Sequence, residues 1–191
     1  MKEKNFVLAS ASPRRIEMMR SHGLEPMVCP ADIEENLPLV GGMKETVMFL
    51  ALKKAKAVEE MLLDEAKGSI IIAADTVVYK DRIMGKPEDF DDAFEMLSDL
   101  RGTYHYVTTG VALVEAGGQK ARVFAEVTKV YFTDYSDEEL RAYLETDEAY
   151  DKAGAYAIQG YFSKYIEKFE GDYDNVVGFP WARIEEEVKK L

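Results

Sequence analysis

Apolar residues follow two different spacings along this chain. Two short continuous runs, Phe6–Ala9 and Ile70–Ala74, are typical of strands that are buried on both faces. Between these runs, apolar residues recur at helical spacing from about Glu45 to Ala66, which predicts a long amphipathic helix. Strands and helices are mixed without a strict βαβ repeat, so the pattern predicts an α/β domain with a mixed sheet.

The second half of the chain has the pattern of a hairpin followed by further helices. Tyr106–Glu115 and Arg122–Phe132 are typical of two long antiparallel strands, and the glycine-containing stretch between them supplies the turn. Ser136 and Glu139 have the spacing of a capping box, which predicts a helix start. Pro180 is expected to open a final helix.

Composition restricts the class of protein before any motif is considered. The chain has 191 residues, of which 47% are hydrophobic, so residues 1–191 can form a single domain with a sizeable core. The formal net charge of −12 repels nucleic acid and anionic membranes, and we expect neither as a partner. An anionic ligand would therefore need a local basic cluster or a metal ion.

Cysteine and histidine counts exclude two further classes of site. One cysteine cannot form an internal disulfide, and with only two histidines it cannot complete a typical zinc site. No apolar run approaches the length of a membrane span, and no apolar signal segment follows the first charged residues. These features predict a soluble, cytoplasmic protein.

The first candidate site lies where the first predicted strand ends. The segment Ser10–Ser12 is followed by Pro13, which suits the first position of a helix, so a helix N-terminus with free N–H groups is expected there. Arg14 and Arg15 add guanidinium groups that can bind a phosphate in a bidentate manner. The segment fits a phosphate site, and it equally fits an ordinary helix start followed by solvated arginines.

The second candidate is Asp75, which interrupts the apolar run after Ile70–Ala74, although Thr76–Tyr79 can continue as a strand. A carboxylate beside a buried strand is costly unless it is paired, hydrogen-bonded or bound to metal. Ligands in α/β sheets bind at strand ends, so Asp75 could bind Mg²⁺ or take a proton from water. A bulge or turn aspartate bonded to nearby backbone is the alternative.

Three weaker candidates carry little signal alone. Lys86 lies between glycine and proline on a predicted loop and could bind phosphate as a point charge. The small residues of Asp151–Gly160 allow close backbone approach, and Gln159 offers a donor and an acceptor suited to a base edge. Lys54 and the acidic pair Glu34–Glu35 have the pattern of solvated surface, and the pair could alternatively be metal ligands.

In this order and spacing, the candidate segments resemble the Maf family of nucleotide pyrophosphatases. The matching segments are Ser10–Arg15, Lys54–Ala55, Ala74–Thr76, Gly85–Pro87, Asp151–Gly160 and Val176–Pro180. The resemblance implies hydrolysis of a nucleoside triphosphate between its α- and β-phosphates, a divalent metal (Mg²⁺ or Mn²⁺) and a homodimer. It also implies a fold similar to the inosine triphosphate pyrophosphatases, with an elongated mixed sheet flanked by helices and two lobes around a deep cleft.

The resemblance assigns roles to individual residues as well. The general base of the family corresponds to Asp75, and its acidic loop residue, a metal ligand together with Asp75, corresponds to Glu34 or Glu35, of which we prefer Glu35. Positions that set specificity correspond to Arg14, Thr76 and Gln159. Positions that contact phosphate correspond to Ser10, Arg15, Lys54 and Lys86.

Two features distinguish subgroups of the family. Members that act on dTTP and UTP are similar to this chain at Ser-Pro-Arg-Arg and Ile-Gln-Gly, whereas members that act on 7-methyl-GTP typically lack the second arginine and carry Glu in place of Gln. Gln159 can pair with O4 and N3–H of a pyrimidine, which favours dTTP and UTP and a role in clearing the nucleotide pool. Tyr161 and Phe162 depart from the smaller residues of many relatives.

Two other functions are weighed against this one. The first is a pyrophosphatase for 7-methyl-GTP. The second is a non-catalytic, nucleotide-binding regulator of septum formation, against which the retained Asp75, Lys54 and Lys86 argue.

Overall fold

Alternation between short strands and amphipathic helices is found along most of the chain. A computed structural model describes residues 4–34 and 42–191. The strands are β1 (Phe6–Leu8), β2 (Met27–Val28), β3 (Ile70–Lys80), β4 (Arg82–Met84), β5 (Tyr104–Glu115), β6 (Ala121–Phe132) and β7 (Ile166–Glu170). The α-helices are α1 (Pro13–Ser21), α2 (Met43–Leu62), α3 (Phe90–Leu100), α4 (Asp137–Leu144), α5 (Tyr173–Val177) and α6 (Trp181–Val188).

The strands form one mixed sheet, as the sequence predicts. Their order is β2-β1-β3-β5-β6-β7, and β4 pairs with β3 outside this path. Strand β1 runs parallel to β2 and β3, whereas the pairs β3–β4 and β6–β7 are antiparallel. The α/β class with a mixed sheet is therefore confirmed.

The chain divides into two compact units. Unit 1 comprises Met1–Asp75, Thr109–Glu126 and Gly178–Leu191, and unit 2 comprises Thr76–Thr108 and Val127–Val177. No helix within the described parts of the chain is long and apolar enough to cross a membrane.

Unit 1 explains the continuous apolar runs. Successive side chains of a strand point to opposite faces. Leu8 and Ile72 pack in one cluster with α1 and α6, and Val7 and Ile71 pack in another with α2. Because helices cover both faces, every residue of these strand segments is apolar, and the prediction of doubly buried strands is confirmed.

Unit 2 has a core dominated by aromatic rings. Phe132, Tyr135 and Phe162 lie with ring centroids 5.0–6.2 Å apart in edge contacts. Helices α3 and α4 contribute aliphatic side chains such as Leu97 and Leu140 to the same cluster. The capping box predicted at Ser136 is present and begins α4.

Strand β3 continues through Asp75 over Thr76–Tyr79, as the sequence allows. Other local expectations differ from the structure. Asp81, at φ 56°, makes the tight turn into β4, which includes Ile83 and Met84 of the predicted loop. The helix predicted to end at Ala66 ends at Leu62 and continues as a 3₁₀ turn. Helix α5 and the 3₁₀ turn Tyr161–Tyr165 were not predicted, because five residues are too few to show a helical period.

Candidate active site

The segment between β1 and α1 is organised around the hydroxyl of Ser10. Ser12 occupies the position before α1 with extended backbone, but its side chain makes no capping hydrogen bond within the described residues. Instead, the backbone N–H of Ser12 donates to Ser10 Oγ at 3.2 Å. The predicted helix start is confirmed, with Ser12 as the residue that precedes the helix.

Arg15 links this segment to two other parts of unit 1. One terminal nitrogen donates to Ser10 Oγ at 3.2 Å and to the carbonyl of Ala74 at 2.9 Å. Nε donates to the carbonyl of Gly178 at 2.9 Å. The planar, multidentate guanidinium suits this arrangement, which a lysine could not reproduce. The alternative of a solvated Arg15 is therefore wrong, whereas Arg14 is half-buried on the first turn of α1.

Asp75 and Lys54 form a buried ion pair. Lys54 Nζ donates to Asp75 Oδ1 at 2.7 Å, and the two side chains are only 13% and 10% exposed. Asp75 lies in the middle of β3 and not at a strand end, so the interpretation as a turn aspartate is wrong. A carboxylate beside the fully buried Ala74 is tolerated because a cation meets it there.

Small residues bring Lys54 to this strand. The face of α2 that packs on the sheet carries Ala51 and Ala55, both fully buried. A Cβ added at Gly110 in β5 would lie 2.3 Å from the backbone carbonyl carbon of Val47, so the helix axis lies close to the strand. The solvated-face interpretation of Lys54 is wrong, because its side chain extends along the sheet to Asp75.

Two other predicted segments meet each other in unit 2. Gly154, within Asp151–Gly160, donates its backbone N–H to the carbonyl of Gly85 at 3.0 Å, next to Lys86. The side chains of Lys86 and Gln159 are exposed in this unit. Thr76, half-buried, is the first residue of unit 2 and follows Asp75 along β3.

The predicted metal ligands are only partly described. Glu35 lies outside the described residues, and the backbone carbonyl of Glu34 accepts a hydrogen bond from Lys53 Nζ at 2.7 Å. In residues 4–34 and 42–191, no group of three or more His, Cys, Asp or Glu side chains could hold a metal ion. Mg²⁺ is usually held by one or two carboxylates together with substrate phosphates, so Asp75 fits as a ligand without such a cage.

Two glycines, Gly178 and Gly110, contribute to the site through their backbone, so no side chain in the sequence indicates them. Arg15 is held by the carbonyls of Ala74 and Gly178, and a carbonyl is available at every residue. Gly178 lies in Val176–Pro180, one of the segments that resemble the Maf family, and this resemblance indicated that the segment belongs to the site. Gly110 could not be found from the sequence, because its role depends on the approach of a helix distant in the chain.

Comparison with known proteins finds relatives over nearly the whole chain. A family model described as Maf-like protein matches residues 5–191. A dTTP/UTP pyrophosphatase of Alkaliphilus oremlandii (strain OhILAs) is 47% identical over 181 residues, covering 95% of this chain and 93% of the relative. One of Geobacillus sp. (strain WCH70) is 43% identical over 189 residues, covering 98% of each.

A solved structure supports the fold independently. The Ham1 protein of Staphylococcus aureus superposes with a TM-score of 0.53 at 16% identity, over 96% of this chain and 100% of that one. At this identity the likeness concerns the fold alone. The family model, by contrast, covers nearly every residue and all the predicted site positions, so the chain belongs to the Maf family.

Proposed function

We propose that the chain hydrolyses dTTP and UTP to the nucleoside monophosphate and pyrophosphate. The observation that carries this proposal is the buried Lys54–Asp75 ion pair, next to the carbonyl that Arg15 binds. The relatives named dTTP/UTP pyrophosphatase, 42–47% identical over 95–98% of this chain, support the reaction and the bases.

Charge supports the choice of an anionic substrate. The whole chain carries −12, yet Lys54 and Arg15 lie beside Asp75 in unit 1. Such a local cluster offsets the repulsion that a triphosphate would otherwise meet. We propose that further groups bind the phosphates or the base, namely Ser10 and Arg14 in unit 1 and Lys86 in unit 2.

The proposed reaction is an in-line displacement at the α-phosphorus. The oxygen of a water molecule forms a bond to this phosphorus while the bond to the bridging β-phosphate oxygen breaks, and pyrophosphate leaves with that oxygen. We propose that the Asp75 carboxylate accepts the proton that the attacking water loses. Catalysis of this kind depends on positioning and on stabilising charge on the phosphate oxygens, which Lys54 and Arg15 are suited to do.

A divalent metal, Mg²⁺ or Mn²⁺, is part of the proposal. Asp75 would hold it with oxygens of the substrate phosphates, and Glu35 would be a second protein ligand. When bound, the metal would neutralise charge on the triphosphate and could acidify the attacking water.

Base recognition is proposed for Gln159, with Arg14 and Thr76. The Gln159 amide can accept from N3–H and donate to O4 of thymine or uracil. Cytosine presents an acceptor at N3 and a donor at N4, so a Gln159 side chain held in one orientation would reject it.

The test is a panel of nucleotides assayed for pyrophosphate release with Mg²⁺. We expect dTTP and UTP to be the best substrates, and Asp75→Asn to lower turnover about a thousandfold or more, because the proton acceptor is lost. Asp64→Asn is the matched control, since Asp64 is an exposed carboxylate of unit 1, and it should retain full activity.

Three results would contradict the proposal in different ways. Near-normal turnover of folded Asp75→Asn would remove Asp75 from the chemistry. A strong preference for 7-methyl-GTP over dTTP and UTP would replace the base assignment but keep the reaction. Nucleotide binding without any product after long incubation would favour a non-catalytic regulator.

A further inference from the structure

The segment Asp151–Gly160 contains a strained turn ahead of Gln159. Gly154 and Ala155 both have left-handed backbone, with φ of 71° and 60°. Glycine adopts this conformation readily, but Ala155 pays a steric cost for it, because its Cβ crowds the following carbonyl. Strain of this kind persists only where the surroundings impose the conformation, and it concentrates at ligand sites.

Three contacts within unit 2 hold the turn. The Gly154 N–H donates to the Gly85 carbonyl at 3.0 Å, and the Tyr143 hydroxyl donates to the Ala155 carbonyl at 3.1 Å. A Cβ at Gly154 would lie 2.9 Å from Val78 Cγ1, so the turn is pressed against β3. These three contacts fix the backbone at the two strained residues.

A fourth contact, next to the turn, joins two side chains. His105 in β5 is fully buried, and its Nε2 lies 2.7 Å from the hydroxyl of Tyr156, the residue directly after the strained pair. The imidazole stacks on Phe132 with ring centroids 5.2 Å apart and meets the edge of Tyr156 at 5.3 Å. Tyr156 is therefore held both by its ring and by its hydroxyl.

Burying the polar groups of His105 and Tyr156 in an aromatic core destabilises the fold. Burial lowers the pKa of His105 to about 3, with a smaller contribution from the charge of Lys80, so the ring is neutral at neutral pH. Burial likewise raises the pKa of Tyr156, which stays a phenol. Nδ1 of His105 has no hydrogen-bond partner in the described part of the chain, so either tautomer leaves one buried imidazole nitrogen unsatisfied.

Packing alone does not account for a histidine at this position. An apolar side chain would fill the same space between Phe132 and Tyr156 without an unsatisfied nitrogen, and buried polar groups without partners call for a specific explanation. What the imidazole adds is one directional hydrogen bond to Tyr156, the first residue of the Tyr156–Gln159 stretch. Within the same stretch, the Gly160 N–H donates to the Ala157 carbonyl at 3.2 Å.

We propose that His105 is a positioning residue for base recognition, acting through Tyr156 on the stretch that carries Gln159. The His105–Tyr156 hydrogen bond fixes the rotation of Tyr156 and with it the course of the backbone to Gln159. Gln159 then presents its amide in one orientation, which is the condition for separating uracil and thymine from cytosine. This inference rests on the proposed function, in which Gln159 reads the base.

The experiment measures kcat/KM for dTTP and for dCTP in the full-length chain with Mg²⁺. The variants are Tyr156→Phe, which removes only the hydroxyl, His105→Leu, which removes the partner, and His105→Gln, whose amide can still reach the hydroxyl. We expect the dTTP/dCTP ratio to fall about tenfold or more in Tyr156→Phe and His105→Leu and to be largely restored in His105→Gln.

Tyr135→Phe is the matched control for loss of a buried hydroxyl. Tyr135 lies in the same aromatic core, and its hydroxyl donates to the Leu97 carbonyl, away from the strained turn. The control should lower the melting temperature and leave the ratio unchanged. In a Gln159→Ala background, His105→Leu should produce no further change in the ratio, because the group that it positions is gone.

The outcomes separate this inference from the function on which it rests. If the wild-type chain releases no pyrophosphate from dTTP or UTP, or does not distinguish dTTP from dCTP, the proposed function fails and takes the inference with it. If the wild type prefers dTTP and the folded variants keep that ratio while losing activity on all nucleotides equally, the function stands and the positioning role is overturned. Should His105→Leu not fold, Tyr156→Phe decides the question alone.

Discussion

The two units place their candidate residues by opposite means. In unit 1, charged side chains are fixed by polar contacts: Lys54 meets Asp75, and Arg15 binds the carbonyls of Ala74 and Gly178. In unit 2, the turn before Gln159 is held by neutral groups and by backbone, with glycine at a close contact and His105 uncharged. Charge fixes Lys54, Asp75 and Arg15 of unit 1, which are proposed to act on the phosphates, and packing fixes the turn of unit 2 before Gln159, which is proposed to read the base.

This difference follows from the chemistry of the two parts of a nucleotide, the triphosphate and the base. A triphosphate has no shape that distinguishes one nucleotide from another, so fixed charges suffice to bind it. A base edge presents a pattern of donors and acceptors, so a group that reads it must have a defined orientation. Substitutions among the charged groups of unit 1 should therefore lower activity on all nucleotides, whereas substitutions around the turn of unit 2 should change the preference between bases.

Among the variants that compare the two units, the largest effect is expected for Lys54→Ala. Losing the cation should lower kcat/KM about a thousandfold, roughly 4 kcal/mol, because charge on the phosphates and the position of Asp75 are both affected. Asp75 would also stay buried without its partner, which destabilises the fold by about 3 kcal/mol. Activity is measured by pyrophosphate release and stability by urea unfolding.

Two further variants show which of these losses belongs to charge. Lys56→Ala on the same helix removes an exposed lysine that pairs with Glu59, and it should change neither quantity by more than about 0.5 kcal/mol. The double variant Lys54→Met, Asp75→Asn should recover stability, since no buried charge remains, but not activity. A fully active double variant would contradict the importance of charge in unit 1.

Sequence and structure agree best where a pattern acts locally. The doubly buried strands, the capping box at Ser136 and the helix start at Pro13 follow from neighbouring residues, and each is present. The ion pair was not foreseeable from residues alone, because Lys54 lies in a run of lysines and nothing local distinguishes it. Only the ordered resemblance to a family singled it out.

What the sequence could not predict depends on contacts between distant segments. The sequence left open whether Asp75 marks a bulge or turn or lies within a continuing strand, because the cation from α2 that meets its carboxylate is distant in the chain. The bond from Gly154 to Gly85 and the pair His105–Tyr156 join residues dozens of positions apart. No periodicity or motif encodes such contacts.

An intermediate effect is expected for Gly110→Ala, which tests whether unit 1 depends on packing as well as charge. The added Cβ would meet backbone atoms of Val47 at 2.3 Å, and backbone cannot move aside as a side chain can. Helix α2 must shift, so we expect a loss of about 3 kcal/mol in the free energy of unfolding and a fall in kcat/KM as Lys54 moves from Asp75.

Gly118→Ala supplies the control for this substitution. It adds the same methyl group in unit 1, but the atoms within reach belong to the side chain of Glu115, which can rotate away. Its effect should stay within about 1 kcal/mol with normal activity. Equal effects of the two variants would show that the close approach of α2 to β5 has no special role.

The smallest expected effect concerns pH and separates the two units directly. His105 is held neutral in the fold, with a pKa lowered from 6.5 to about 3 chiefly by burial, whereas the unfolded chain binds a proton below 6.5. The unfolded state is therefore favoured as pH falls from 6.5 toward 3, and by pH 5 the loss should reach about 2 kcal/mol. Urea unfolding at pH 7 and pH 5 measures it, and His105→Leu should abolish this part of the difference.

Unit 1 should respond in a different pH range. Glu187 in α6 is buried, and hydrogen bonds from Lys190 first and Arg122 next lower its pKa from 4.5 to about 2. The stabilisation by Glu187 is complete above pH 4.5 and is lost as pH falls from 4.5 to 2. The fold favours the charged form of Glu187, whereas it favours the neutral form of His105. Glu187→Gln should therefore leave the change between pH 7 and pH 5 intact. Unit 2 contains the neutral buried His105 and unit 1 the paired buried Glu187, so a change from pH 7 to pH 5 should speed the opening of unit 2 more than that of unit 1. Amide hydrogen exchange of the wild type at the two pH values measures this opening. Equal acceleration of exchange in both units would contradict the prediction that the two units respond in different pH ranges.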